Sequence, residues 1–329
     1  MRTRALPFLL ACGLLFSCVP DAPHDNTLDP ASPVFDNSGT ISGKVVRFGA
    51  PTVGVSSAFI TVSPGGASAM TPTTGEFTIS RIPAGSITVV VSKQGFQSDT
   101  IRLAVEPGQV LTLESRLDAL PQIANSTIST KKIDQWWPGP VYNAFVSAAV
   151  TDPDGQADLD SVYCTVDTVS FQMVYSVGDK LFEVSISSDV LPTGNLQWLV
   201  GKPMTVYAHD RSRAIGSSDQ FYVSRIIESE AVPTLPAPPA DTVRDSLVFE
   251  WDPPASSTIL FPHTYKIEVV RVDAGTQTSL WSKSDISSSP PYSYQYPLPL
   301  QTGSYFWAIS IVDEYGNVSR SREATYTVP

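Results

Sequence analysis

The sequence predicts an all-β protein, a tandem array of three β-sandwich domains behind a leader and a flexible tether. Three observations predict it. Short runs rich in Val, Ile, Thr, Tyr and Phe alternate apolar with polar residues, as half-buried strands do. Gly, Pro, Asp or Asn interrupts these runs about every eight to twelve residues, the turn spacing of a sandwich. No stretch carries the 3.6-residue apolar period of a long helix. Two zones, "RLDALPQIANS" (116–126) and "ESEAVPTLPAPPADT" (228–242), punctuate the chain, and the second is a Pro-rich spacer, stiff rather than floppy. They separate modules over 39–118, 121–227 and 233–329.

The leader comes first. Arg2 and Arg4 precede "ALPFLLACGLLF", an uncharged apolar run. A basic start followed by an apolar stretch well short of the ~20 residues needed to span a bilayer is the pattern of a secretory signal. Leu15, Phe16, Ser17 and Cys18 then resemble the lipobox of bacterial lipoproteins, a Leu three residues before a Cys with a small residue between. "LLAC", ending at Cys12, fits the same frame, but cleavage there would leave only seven apolar residues and strand "GLLF" outside the inserted segment. Length therefore selects Cys18 over residues 1–17 as the signal. The resemblance implies that the Cys18 thiol carries diacylglycerol and that the new amino terminus is acylated too, and two or three chains give the stable anchoring that one cannot. Val19 in place of Asp after the anchor implies outer-membrane delivery by the same resemblance. Without it, the leader marks a secreted protein in which Cys18 is incidental. The following segment to residue 38 is rich in Pro, Asp and Asn with little to bury, and reads as a disordered tether.

Removal of Arg2 and Arg4 with the leader leaves 19 basic against 32 acidic residues, a net charge of −13. Such a surface repels nucleic acid and anionic headgroups, which leaves the lipid anchor as the means of membrane association. Cys164 is the one cysteine beyond Cys18, so no disulfide is expected within the mature modules, and stability must come from packed cores. Hydrophobic residues make up 42% of the chain, enough for two or three cores.

In the first module an opening strand, "GTISGKVVRFG", is followed by reversals at Gly75, at Pro83 to Gly85 and at Gly95, read as hairpin turns. "TGEFTI", "IPAGSITVVVSKQGF" and "EPGQVLTLESRL" resemble the carboxypeptidase regulatory-like domain over nearly all of 39–118. The resemblance implies a transthyretin-type sandwich and no catalytic residues; some sandwiches of related shape bind starch.

The second module offers "YNAFVSAAVTDPDG", "LDSVYCTVD" and "KPMTVYAHD", and resembles an immunoglobulin- or cadherin-like bacterial repeat. Alternation places Val162, Cys164 and Val166 on one face, which makes Cys164 an inert core residue. In "TDPDGQADLD", Asp152, Asp154, Asp158 and Asp160 put four carboxylates within nine residues. Calcium takes six to eight oxygen ligands, and an acidic turn between strands can supply several of them. Pro153 and Gly155 depart from the EF-hand spacing, and a solvated turn is the alternative reading.

In the third module "SLVFEWDPP" alternates Leu247, Phe249 and Trp251 onto one face and ends at a Pro pair. With "TYKIEVVRVD" and "LQTGSYFWAISIVDEYGNVSRS" it resembles a fibronectin type III domain over 233–329, and Leu300, Gly303 and Tyr305 stand in the frame of the tyrosine corner. "VYAHDRSRAIGSSDQFYV" and "ISIVDEYGNVSRSREATYTV" share an order of strand, acidic residue, polar turn and strand, which supports a tandem array.

Catalytic motifs are wanting: there is no GxSxG, phosphate-cradling loop or HExxH, and His24, His209 and His263 are spread over the tether and two modules. The expected function is therefore non-enzymatic, a lipid-anchored envelope protein whose modules bind, adhere or scaffold, with an envelope or extracellular protein as partner. The alternative is carbohydrate binding, with polysaccharide as partner, suggested by "DQWWPGPVYN" and "PPYSYQYPLP". Tyr292, Tyr294 and Tyr296 alternate and have a core explanation. Trp136 and Trp137 are the candidate platform: if "DQWWPG" is extended, one indole enters the core and its neighbour stands on the surface.

Overall fold

The computed structural model describes residues 25, 29, 31–32, 36–49, 51–236, 241–255 and 258–329. Cys12, Cys18 and His24 lie outside them. All regular structure described is strand, apart from three short 3-10 turns. The chain forms two compact units, one holding the described residues up to Val46 with Val53–Lys93 and Ser98–Arg116, the other Arg47–Thr52, Gln94–Gln97 and Leu117–Pro329.

The smaller unit is built on β1 (Ser38–Arg47), β2 (Phe59–Ser63), β3 (Ser68–Met70), β4 (Glu76–Pro83), β5 (Gly85–Ser92), β6 (Asp99–Val105) and β7 (Val110–Leu117). Their sheets run β4-β1-β7 and β3-β2-β5-β6. Alternation buries Ile60 and Val62 from β2, Phe77 and Ile79 from β4, and Ile87, Val89 and Val91 from β5. The buried Thr71 hydroxyl donates to the Val55 carbonyl at 2.6 Å and accepts the Ala58 N–H at 2.9 Å, so a polar residue sits in the core fully paired. Of the three expected hairpin turns only Gly95 joins paired strands, β5 to β6. At Gly75 and at Pro83 to Gly85 the chain instead crosses from one sheet to the other, because β4 pairs with β1 while β3 and β5 pair with β2. A turn residue specifies a reversal; the partner of the next strand is decided by distant packing.

The larger unit begins with β8 (Gln122–Ile133), β9 (Val141–Thr151), β10 (Leu159–Val166), β11 (Val169–Gln172), β12 (Val174–Ser176), β13 (Leu181–Ser187), β14 (Met204–Asp210) and β15 (Ile215–Ser217). It continues with β16 (Val232–Leu235), β17 (Asp241–Thr242), β18 (Val248–Asp252), β19 (His263–Asp273), β20 (Thr276–Ser287), β21 (Ser293–Gln295), β22 (Gly303–Asp313), β23 (Val318–Arg320) and β24 (Ala324–Val328). Two hydrophobic cores result. One packs Ala144, Val146 and Ala148 of β9 and Ile186 of β13 with Val162, Cys164 and Val166 of β10 and Val206 of β14. The other packs Leu247, Phe249 and Trp251 with Tyr265, Ile267, Trp307 and Ile309. Trp307 is fully buried, 4.9 Å from the Phe249 ring, and its indole N–H donates to the Pro236 carbonyl at 3.3 Å.

One sheet runs through both cores. Its path is β12-β13-β9-β8-β23-β22-β19-β20, with β24 also on β22. The joint is parallel pairing of β8 with β23, Lys131 opposite Val318 and Ile133 opposite Arg320. At that joint the Thr130 N–H and hydroxyl both donate to Asn317 Oδ1, at 2.8 and 2.9 Å, in a fully buried setting. The Pro-rich spacer is also partly structured: Val232–Leu235 pairs with β18 as an edge strand, the position in a sheet where Pro233 costs no ladder bond that the fold needs.

Candidate functional site

An acidic cluster lies where four segments of the larger unit converge. Asp118 follows the end of β7, Asp152 and Asp154 open the turn after β9, Asp158 closes a 3-10 turn before β10, and Asp210 ends β14. The turn is built locally. Asp152 Oδ1 accepts the Asp154 N–H at 2.7 Å and its carbonyl accepts the Gly155 N–H at 3.1 Å, an Asx-type turn completed by Gly155 at φ 125°. Asp210 Oδ1 accepts the Ala214 N–H at 2.8 Å, and the Asp158 carbonyl accepts the Arg211 N–H at 2.9 Å, which ties the two turns together.

Ligating atoms of Asp118, Asp158 and Asp210 lie within 4.8 Å of one another, and so do those of Asp152, Asp154 and Asp158. Asp154 is already engaged: its Oδ2 accepts the Ala119 N–H at 2.7 Å and its Oδ1 faces Arg47 Nε at 3.1 Å. Both carboxylate oxygens of Asp118, Oδ2 of Asp152 and Oδ2 of Asp210 are buried without a hydrogen-bond partner. Burial, and then the negative charge of Asp210, Asp154, Asp158 and Asp152, pushes the Asp118 carboxyl up to about 7. Burial likewise raises Asp152 and Asp154, the latter against the opposing pull of the Ala119 N–H and Arg47.

Of the four carboxylates singled out in the sequence, three gather here and one does not. Asp160 is exposed, at a register irregularity between Leu159 and Ser161 that turns it away from the cluster's faces. Asp118 and Asp210 take its place. Neither is near "TDPDG" in sequence, and the recurring strand-acid-turn pattern, which contains Asp210, pointed only to a tandem array.

The tryptophan pair sits in an irregular bend between β8 and β9, and neither indole enters a core: Trp136 is 65% exposed and Trp137 is 86% exposed. Because the segment is not extended there, strand alternation does not apply. Trp136 is held at its edge, its N–H groups donating to Glu323, backbone N–H to Oε2 at 3.0 Å and indole to the carbonyl at 3.2 Å, with the Arg322 guanidinium 4.4 Å from its ring. Tyr296 is buried, and Tyr292 and Tyr294 pack against the same core, as the alternation of that run implies. Cys164 is fully buried and burial pushes its thiol up to about 12, the state of an inert core residue. The tyrosine corner is formed: the Tyr305 hydroxyl donates to the Gln301 carbonyl at 2.8 Å.

Residues 40–118 match the carboxypeptidase regulatory-like domain. The match covers the smaller unit's strands from Thr40 on and takes in only Arg47–Thr52, Gln94–Gln97, Leu117 and Asp118 of the larger unit. No curated protein matches the chain in sequence. Among solved structures it is similar to a DUF3823 family protein from Bacteroides ovatus, at 14% identity over 56% of this chain and 97% of that one, TM-score 0.27. It is also similar to the major pilin subunit of Bacillus cereus, at 9% identity over 89% and 98%, TM-score 0.27. A third is a candidate carbohydrate-binding protein from Bacteroides uniformis, at 10% identity over 56% and 98%, TM-score 0.24. Scores this low carry no function across. Among the described residues no helix is long and apolar enough to cross a membrane.

Proposed function

We propose that the protein is a non-catalytic scaffold of the cell envelope, lipid-anchored through Cys18 to the outer membrane, whose sandwich modules present a binding surface to an envelope or extracellular protein. On this reading 121–227 is an immunoglobulin- or cadherin-like module and 233–329 a fibronectin type III-like one. The observation that supports it is the shared sheet of the larger unit. Pairing of β8 with β23 welds two separately cored sandwiches through backbone hydrogen bonds, which suits a part that must hold a surface in place more than one that must open around a substrate.

The test has two arms. Cys18→Ser should move the protein from the membrane fraction to the soluble envelope fraction and block signal removal, while Cys12→Ser should not. Cross-linking the anchored protein in its native cells should then capture a protein. Membrane retention of the Cys18→Ser variant overturns the anchor, and turnover of a substrate by the purified chain overturns the scaffold.

A second reading, carbohydrate binding, rests on the bare indole of Trp137, since an exposed Trp face is the side chain that stacks on a sugar ring. Retention on a polysaccharide column that free sugar competes away would favour it.

A further inference from the structure

We infer that the larger unit carries a calcium site in which Asp118, Asp158 and Asp210 ligate the ion, with the free oxygen of Asp152 beside them and Asp154 as a positioning residue. This stands independently of the scaffold reading.

The first support is the state of the oxygens. Asp118 is 8% exposed and Asp210 is 2% exposed, and Oδ1 and Oδ2 of Asp118 and Oδ2 of Asp210 have no hydrogen-bond partner. Buried polar atoms in folded proteins are paired, and a buried carboxylate is paired or coordinates a metal. One carboxylate oxygen each of Asp118, Asp158 and Asp210 lies within 4.8 Å of the others, and among the described residues nothing satisfies the unpartnered oxygens of Asp118 and Asp210.

The second support is an internal comparison. Asp313 makes in the other sandwich the turn that Asp210 makes here, its Oδ1 accepting the N–H of the residue four positions on, Asn317, at 2.9 Å. There the remaining oxygen is satisfied, since Asp313 Oδ2 accepts from Asn317 Nδ2 at 2.9 Å and faces Arg225 Nε at 3.6 Å. At the corresponding place Ala214 has no side-chain donor, Asp210 Oδ2 is buried without a hydrogen-bond partner, and the Asp210 carboxylate gathers with those of Asp118 and Asp158. The fold closes this turn with an amide and a guanidinium in one copy and leaves it open in the other.

The third support is the chemistry of the donors. All are carboxylate oxygens, which suit a hard cation and exclude a site of zinc type built on His and Cys. Magnesium demands near-ideal octahedral geometry, whereas calcium accepts the irregular oxygen set that separate turns supply. Among the described residues the cation paired with the cluster is Arg47, and it is committed to Asp154, which leaves Asp118, Asp158 and Asp210 without an ion-pair partner of their own.

The experiment uses the full chain in detergent, freed of metal with a chelator. Calorimetric titration with calcium chloride should show binding, and the melting temperature should rise with calcium and fall back on chelation. Asp118→Asn and Asp210→Asn should each weaken binding at least about tenfold, because affinity follows the number of ligand charges. Asp118→Asn should also melt no lower than the parent in chelator, since a repelling carboxylate has gone. Asp158→Asn, at a half-buried turn position, gives the same loss of affinity should either buried variant fail to fold, and Asp160→Asn should bind as the parent does. Absence of binding up to about 10 mM calcium, roughly tenfold beyond the weak end of about 1 mM for extracellular sites, overturns the inference. So does an equal response to magnesium, or calcium binding that survives Asp158→Asn unchanged.

Discussion

Asp210 and Asp313 each hold the turn after an inner strand through Oδ1, but only Asp313 finds a hydrogen-bond partner for Oδ2, in the side chain of Asn317. That amide does more than close its own turn. Its Oδ1 accepts both donors of Thr130, so it also fastens β8 to the start of β23. Asn317→Ala would strand a buried backbone N–H and a hydroxyl and leave Asp313 Oδ2 only its ion pair with Arg225, and leaving buried groups unsatisfied costs about 1–3 kcal/mol each. With partial relaxation the full chain should lose roughly 2–4 kcal/mol in urea denaturation, and a loss below about 1 kcal/mol would mean the joint does not depend on this residue.

Stability in the absence of metal should depend on pH with a definite sign. The Asp118 carboxyl lies at about 7 when folded, chiefly through burial, against about 3.9 in an unfolded chain. Between those values the folded protein holds a proton that the unfolded one has released, so the stabilisation is full below pH 4 and is lost as pH rises through about 7. Asp152 and Asp154 shift in the same direction. In chelator the melting temperature should fall between pH 5 and pH 8, more steeply than for Asp118→Asn; parallel slopes would remove Asp118 as the source. Millimolar calcium should abolish most of the fall, because the ion binds the deprotonated cluster.

Tyr305 separates ring from hydroxyl. The ring stacks on Tyr326 with centroids 5.2 Å apart, and Phe preserves that contact; the hydroxyl bond to the Gln301 carbonyl is lost. Gln301 is exposed, so water can take over its carbonyl, and the cost of Tyr305→Phe should be about 1 kcal/mol by denaturant titration. An unchanged midpoint would show that the corner is packing alone.

The strands, their inward faces and the inert Cys164 were legible because each rests on alternation within a few residues, as in Leu247, Phe249 and Trp251. Partnering was not. The crossings at Gly75 and Ala84, the pairing of β8 with β23, and the arrival of Asp118 and Asp210 beside "TDPDG" all join residues far apart in the chain. Asp158 and Asp160 look equivalent on paper, and an irregularity in strand register sends one into the cluster and the other to solvent. The faint signal for Asp210 was the repeated strand-acid-turn ending, whose meaning appears only when the second oxygens of Asp210 and Asp313 are traced.

The adjacent tryptophans should behave differently, although both are on the surface. Trp136 is tied to Glu323 by two hydrogen bonds and lies under Arg322, so Trp136→Ala removes contacts between the β8–β9 bend and the segment before β24. At such exposure a cation–π contact contributes about 0.5–1 kcal/mol, and the backbone N–H bond to Glu323 survives the substitution. Trp136→Ala should therefore cost about 1 kcal/mol, far from the 3–5 kcal/mol of emptying a core site. Trp137 has 86% of its surface in water, so Trp137→Ala should leave the denaturation midpoint unchanged. Its effect should fall on capture instead. If Trp137 is the contact point for a partner or a sugar, the alanine variant loses retention at matched folded concentration while Trp137→Phe, which keeps a stacking face, recovers part of it. Equal capture by parent, alanine and phenylalanine variants would remove this indole from any binding surface and leave the acidic cluster as the functional feature of the larger unit.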